Sequence, residues 1–376
     1  MQQSNRKSLT VLAPGRMNLI GEHIDYNGGF VLPAAIDKFI KIRFERHQQN
    51  HCIIHSDRVK TSEKIDLKQL KASKPAWLNY IKGVVYHLNL RRPNQISGFD
   101  AWIESNLPIG AGISSSAALE CGIAVGLNEL FGLKIPKSEL IELCMQAEHE
   151  FAGTLCGIMD QFSVMMGQQD HLLQLDCKTN KHRLIPAQFG PWQLILLHSK
   201  VQHQLAESAY NDRRRSCEQV LNTIQKSIPK YQYLCEIPIE VLTNFKTKIN
   251  PQDFKRATFA IEENARTLAV VEHLHHLNFE AIGACMLQSH RGLQHQYEVS
   301  CSELDFLVDT ACQFEGVLGA RMMGGGFGGC SLNLVHKERK KAFIEHMHTQ
   351  YFLHFNRSLE PIEISISDGV KTIKNG

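Results

Sequence analysis

From Leu107 to Glu120 the chain reads LPIGAGISSSAALE, the stretch that most restricts what the rest can fold into. Gly110, Ala111 and Gly112 let a backbone come close to a ligand, hydroxyls follow at Ser114, Ser115 and Ser116, and Ala117 to Glu120 turn helical. The first N–H groups of a helix have no partner within it, and the aligned peptide dipoles add about half a positive charge there. Such a loop at a helix entrance suits phosphate, and its serines can cap the helix, bond phosphate oxygens or bind a metal. A serine-capped helix after a turn is the plainer alternative, but two glycines and three serines exceed what a cap needs. No G-x-x-x-x-G-K-[ST] is present, so this is not a Walker A loop, and no G-x-S-x-G makes a serine a hydrolase nucleophile.

With 376 residues the chain fits two domains, each able to bury a core. A hydrophobic content of 43% and a charged content of 21% are those of a globular protein, and a net charge of +3 is too mild for nucleic acid. The denser basic clusters, Arg213 to Arg215 and Lys337 to Lys341, are short enough to be solvated helix faces. The 11 cysteines lack C-x-x-C or zinc spacing and read as reduced thiols. The start, MQQSNRKSLT, has no apolar core, and runs such as Leu194 to Leu197 are too short to span a bilayer. A cytoplasmic protein with no membrane partner is therefore expected.

Leu9 to Ala13 reads as a short strand that Pro14-Gly15 breaks. Gly21-Glu-His-Ile-Asp-Tyr26 is a polar cluster that Asn27-Gly-Gly29 closes as a hairpin-type turn. With Arg16 it gathers an Arg, two carboxylates, a His and a Tyr between apolar strands, which fits either a site on a loop or a polar hairpin tip. Ala76 to Leu90 puts Trp77, Ile81, Val84 and Leu88 on one helical face, where Trp77 is core or stacks on a base. A second helix, Lys137 to Phe151, ends on Glu148, His149 and Glu150, acidic residues that oppose its dipole and call for a cation or for solvent. Asp160 is the only charge between Cys156 and Gly167; a buried carboxylate is expensive unless paired, so it serves either as a helix cap or in catalysis. Late in the chain Gly324 to Gly329 satisfies G-x-G-x-x-G, yet a strand rather than a helix follows, so it reads as a glycine hairpin that a ligand approaches. The histidines at 273, 275, 276, 346 and 348 lack metal-ligand spacing.

Pro14-Gly-Arg-Met-Asn-Leu-Ile-Gly-Glu-His-Ile-Asp-Tyr26, with Val31-Leu-Pro-Ala-Ala35 after it, resembles the galactokinase signature. Leu107 to Ala118 and Met323 to Cys330 resemble the second and third motifs of the superfamily that includes galactokinase, homoserine kinase, mevalonate kinase and phosphomevalonate kinase. The resemblance runs from about residue 9 to the C-terminus. It implies an α+β, two-lobed fold. An N-terminal lobe over 1–166 would be ribosomal S5 domain 2-like, with a mixed sheet and helices. A ferredoxin-like α/β sandwich over 167–376 would follow, its last strand returning to the first lobe, with the site in the cleft between.

The implied activity is transfer of phosphate from ATP to the C1 hydroxyl of galactose, with Mg²⁺, by a monomer. Asp160 would be the base and Arg16 its neighbour, stabilising charge in the transition state. Glu22, His23, Ile24, Asp25, Gly157 and Tyr210 would hold the sugar. Gly110, Ala111, Gly112, Ile113, Ser114, Ser115 and Ser116 would wrap the ATP phosphates, Ser56 and Trp77 would touch the nucleotide, and Ser116 with Glu148 would bind Mg²⁺. A kinase for N-acetylgalactosamine or arabinose, or a galactose and ATP sensor, would share these motifs. The chain departs from the pattern in its short lead before the first motif, in Ala209 before Tyr210, and in Met322-Met323 before the glycines.

Overall fold

The computed structural model describes residues 8–202 and 206–373, so the first seven residues of the polar start lie outside the described residues. Strands β1 (Ser8–Asn18), β2 (Phe30–Val31), β3 (Pro33–Arg46), β4 (His51–Ser56) and β5 (Thr61–Asp66) come first. Helix α1 (Leu78–Arg91), strand β6 (Phe99–Ser105) and helices α2 (Ser115–Phe131), α3 (Lys137–Ala147) and α4 (Met159–Met166) follow. Six strands form one sheet in the order β13-β1-β3-β6-β4-β5, where β13 is Lys371–Ile373. Its pairs are antiparallel except β4 with β6, so the sheet is mixed.

Pro14-Gly15 does not end β1. The strand runs through it with a register shift between Pro14 and Arg16 against β3. A Cβ at Gly15 would crowd the Leu107 side chain and the Ile113 carbonyl, and the Arg16 N–H donates to Ile113 O at 3.1 Å. A bulge re-aims a side chain, and this one turns Arg16 toward the loop before α2.

Helix α2 lies against that sheet because small residues face it. A Cβ on Gly122 would press on Ile42, and one on Gly126 would overlap the Phe44 ring. Close packing without voids fixes the helix, and with it the loop at its start.

Strands β7 (His171–Asp176) and β8 (Lys181–Pro186) extend β2 into a three-stranded sheet. By hydrogen bonding they join β2 of the N-terminal half, although they lie in 167–376. Strand β9 (Trp192–Gln202) opens the second half. Helices α5 (Ala206–Gln225), α6 (Ile239–Asn244), α7 (Pro251–His275), α8 (Phe279–His295) and α9 (Ser302–Gln313) follow. Strands β10 (Val317–Met323) and β11 (Gly328–His336), helix α10 (Lys340–Phe355) and strand β12 (Glu360–Glu363) come next. A four-stranded antiparallel sheet, β10-β11-β9-β12, packs Ile195, Leu197, Ala320 and Val335 against Leu307 of α9 and Phe343 and Met347 of α10. Sheet with helices on it is the layered sandwich expected of this half. The last strand, β13, pairs antiparallel with β1, carrying the chain back to the first sheet. Among the described residues no helix is long and apolar enough to cross a membrane. All 11 cysteines are free.

Candidate active site

Arg16, at the bulge of β1, is 3% exposed. Its Nε donates to Asp160 Oδ1 at 2.9 Å, Nη2 to Oδ2 at 3.3 Å, and Nη1 to the Gly112 carbonyl at 2.5 Å. One guanidinium thus ties the first motif to the carboxylate of α4 and to the loop before α2. Burial works against its charge, but Asp160 foremost, with Glu22 and Asp25, raises its pKa.

Asp160 sits in the first turn of α4, whose N-cap position is Ile158, so the carboxylate is no helix cap. It accepts from Arg16 and, at 2.5 Å, from the Ser114 hydroxyl. The Ser114 bond was not legible in the sequence, where the serine reads as a phosphate contact. Its φ of 59° is left-handed, and its side chain makes no cap bond to α2. Among the described residues no side chain caps the start of α2, while the Ser114 hydroxyl serves the carboxylate.

Arg16, Glu22, His23, Asp25, Asp160 and Tyr210 line one cavity together with Cys156, Met159, Gly324 and Gly325. Asp25 is buried and accepts from the N–H groups of Tyr26 at 3.0 Å and Met159 at 3.4 Å. Burial, then the nearby Asp160 charge, pushes its pKa up to about 6. Gly157 lies flush against Asp25, and any Cβ there would overlap the carboxyl group. Glu22 accepts from Gly324 N at 2.9 Å and is 3.0 Å from Arg321 Nη2, a fully buried cation that the motifs did not mark. Ile24 does not reach the cavity: its side chain is fully buried beneath Gly29, and its carbonyl holds the turn through the N–H groups of Asn27 and Gly29.

His23 has a φ of 63°. Its Nε2 faces the Gly325 carbonyl at 3.1 Å and its Nδ1 the Tyr26 hydroxyl at 2.8 Å. Burial foremost lowers its pKa to about 3, so the ring is neutral near pH 7. A carbonyl only accepts, so Nε2 carries the proton and Tyr26 donates to Nδ1. Tyr26 in turn is 2.9 Å from the Tyr297 hydroxyl of the helical half. Both ring nitrogens are therefore taken by protein, and His23 presents the cavity with a ring face beside Tyr210, centroids 5.1 Å apart.

The glycine run reads differently in three dimensions. Gly324 and Gly325 face the cavity, but the closest approaches are to protein backbone. A Cβ on Gly326, at φ 83°, would overlap the Val299 carbonyl, and one on Gly324 would stand 3.0 Å from Gly112 O. The bare hairpin backbone packs against Val299 and against the loop before α2 at Gly112.

Glu148 does not end a regular helix: α3 stops at Ala147 and a π-helical turn, Glu148–Ala152, carries it inward. Such turns recur at functional sites. The carboxylate is 6% exposed, accepts from Gln161 Nε2 at 2.7 Å and is hydrogen-bonded by the Ser116 hydroxyl. Burial, then Asp160, raises its pKa to about 7. Gln161 also reaches the buried Glu120 at 3.1 Å, a partner the spacing did not reveal, although Gln161 adjoins Asp160 in the sequence.

Ser56, Trp77, Ser115 and Ser116 line a second cavity, of about 310 Å³, with Ile40, Arg58, Tyr80, Ile103 and Leu119 among its other walls. Ala111 and Ile113 point into the core at 1% exposure, so the loop offers backbone there, and Gly110 faces a separate surface hollow beside His198.

Three family models match the chain: the galactokinase galactose-binding signature over residues 2–43, the GHMP kinases N-terminal domain over 79–168 and the GHMP kinases C-terminal domain over 270–352. A galactokinase of Thermotoga maritima is 40% identical, with 97% of this chain and 100% of that protein aligned. The crystal structure of Lactococcus lactis galactokinase complexed with galactose superposes with a TM-score of 0.93 at 31% identity, covering 98% of this chain and 96% of that one. Mevalonate kinase of Methanococcus jannaschii shares the fold, with a TM-score of 0.64 at 19% identity over 98% of this chain and 100% of its own.

Proposed function

The chain belongs to the galactokinase family of the GHMP kinases, and on that premise we propose that the Arg16–Asp160 cavity takes galactose and the Ser56–Trp77 cavity takes ATP. The reaction is transfer of the γ-phosphoryl group of ATP to the C1 hydroxyl of galactose, giving α-D-galactose 1-phosphate and ADP. The observation that carries the assignment of residues is the Asp160 carboxylate, held by Arg16 and Ser114 and facing the cavity where the three motifs meet.

Asp160 is the base that takes the proton of the C1 hydroxyl. Its two oxygens are oriented by Arg16 and Ser114, which leaves the carboxylate few rotamers and one direction for attack. Arg16 also offsets negative charge as the phosphoryl group passes. Asp25, Glu22 and Tyr210 hold sugar hydroxyls, and Gly157 allows the sugar to lie against Asp25. His23 takes part through its ring and through the hairpin it fastens, since its nitrogens are occupied. The free N–H groups at the start of α2 and the backbone of 110–114 cradle the phosphates.

Ser116 and Glu148 fit Mg²⁺. They form a hydroxyl–carboxylate pair of hard oxygen donors, and the carboxylate is buried and raised to about 7, as one short of a compensating cation is. When bound, the ion neutralises charge on the phosphates. The free thiols suit a reducing cytoplasm.

A coupled ADP-release assay with a panel of sugars tests the reading. Turnover with galactose above the other hexoses is expected. Turnover with N-acetylgalactosamine or arabinose alone would reassign the substrate, and galactose binding without turnover would make the protein a sensor.

A further inference from the structure

Among the described residues the second cavity is lined by one charged side chain. It is Arg58, which stands among Ser56, Trp77, Ser105, Ser115 and Ser116. Arg58 stands in the turn between β4 and β5, two residues after Ser56, and none of the three sequence motifs includes it.

The turn delivers the guanidinium to the mouth of the phosphate loop. Arg58 Nη1 donates to the Leu107 carbonyl at 2.5 Å and reaches Ser105 Oγ at 3.5 Å. Among the described residues Nε and Nη2 make no hydrogen bond, and no carboxylate pairs with Arg58. A guanidinium is a planar fork whose remaining donors match phosphate oxygens, and it stays charged when partly desolvated. The side chain is therefore anchored at one nitrogen, bare at the others, and placed on the cavity wall shared with Ser115 and Ser116 at the start of α2. Arg58 also lines the neighbouring hollow with Pro108, Ile109 and Gly110 of the phosphate loop.

We propose that Arg58 binds the phosphates of the nucleotide, as a positioning residue contributed by the β4–β5 turn. The proposal rests on the second cavity being the nucleotide site. It gives the triphosphate a protein cation besides Arg16, which is engaged with Asp160. The Leu107 carbonyl fixes where that cation sits.

The test is titration calorimetry of the full chain with ADP and, separately, with adenosine, for wild type, Arg58→Gln and Arg58→Lys, alongside steady-state kinetics. Arg58→Gln is expected to weaken ADP by about tenfold or more, to leave adenosine within about twofold, and to raise the KM for ATP while kcat and the KM for galactose hold. Arg58→Lys, which keeps the charge without the fork, should fall between. Unchanged ADP affinity in Arg58→Gln would overturn the proposal. Equal weakening of ADP and adenosine would also overturn it, because the turn would then act only as a wall of the cavity. If Ser56→Trp, which fills the cavity, leaves wild-type ADP affinity intact, the nucleotide lies elsewhere and the premise fails instead.

Discussion

At the scale of single residues the site turns on how buried carboxylates are kept in place. Asp160 has two holders, and they are separable. Ser114→Ala removes the 2.5 Å bond but leaves Arg16, so kcat should fall about tenfold with the KM for galactose within a factor of about two. An unchanged kcat in steady-state assays would make Ser114 a bystander. Glu148 adds a pH effect whose sign follows from its position. Its pKa rises from 4.5 to about 7, so between those values the folded protein holds more proton than the unfolded chain. Stability from this group is thus fully present below about pH 4.5 and falls as pH rises toward 7, by at most about 3 kcal/mol. Asp25, raised from 3.8 to about 6, acts in the same direction. Glu148→Gln should flatten the profile, losing less unfolding temperature than wild type between pH 5 and pH 8 without added Mg²⁺. Parallel profiles would show that Glu148 does not titrate in this window. The side chains of Arg16, Asp25 and Asp160 were legible because they are charged groups in apolar surroundings. Ser114 reads from the sequence as a phosphate contact, and only the fold shows that a carboxylate forty-six positions on takes its hydroxyl.

At the scale of elements the function depends on close approaches that glycine permits. Gly157 touches the Asp25 carboxyl, so Gly157→Ala must push that carboxylate or the start of α4 aside. Its expected signature is a galactose KM raised by tenfold or more with ADP affinity unchanged, read by calorimetry; equal losses for both ligands would mean the helix has moved as a whole. Gly326→Ala combines a φ of 83° with overlap on the Val299 carbonyl. It should destabilise by about 2–4 kcal/mol in denaturant unfolding. Helices α1, α2 and α3 and the start of β1 were readable from helical periodicity and turn signals. The bulge at Gly15 was not, because Pro-Gly ordinarily stops a strand. Here the pairing of β1 with β3 on both sides of the shift overrides that local signal. The π-turn at Glu148 was equally hidden, since its residues continue a good helical pattern and only burial of the carboxylate pulls it out of register.

At the scale of the molecule, segments far apart in the chain meet around one charge pair. Arg16 comes from the first strand, Gly112 and Ser114 from the loop before α2, Asp160 from α4, and the floor at Gly324 from the hairpin between β10 and β11. Convergence of three motifs was legible as a requirement. The contacts between them, Gly324 with Gly112 and Glu22 with Arg321, were not, because no local pattern encodes a partner some 200–300 residues away. The account stands on Asp160 being the base rather than a structural pair for Arg16. Single-turnover transfer from ATP to galactose by Asp160→Asn, with galactose affinity measured by calorimetry on the same protein, separates the two. The expected result is a rate lowered by about 10²–10⁴-fold with the galactose Kd within a few-fold of wild type. A transfer rate near that of wild type would contradict it.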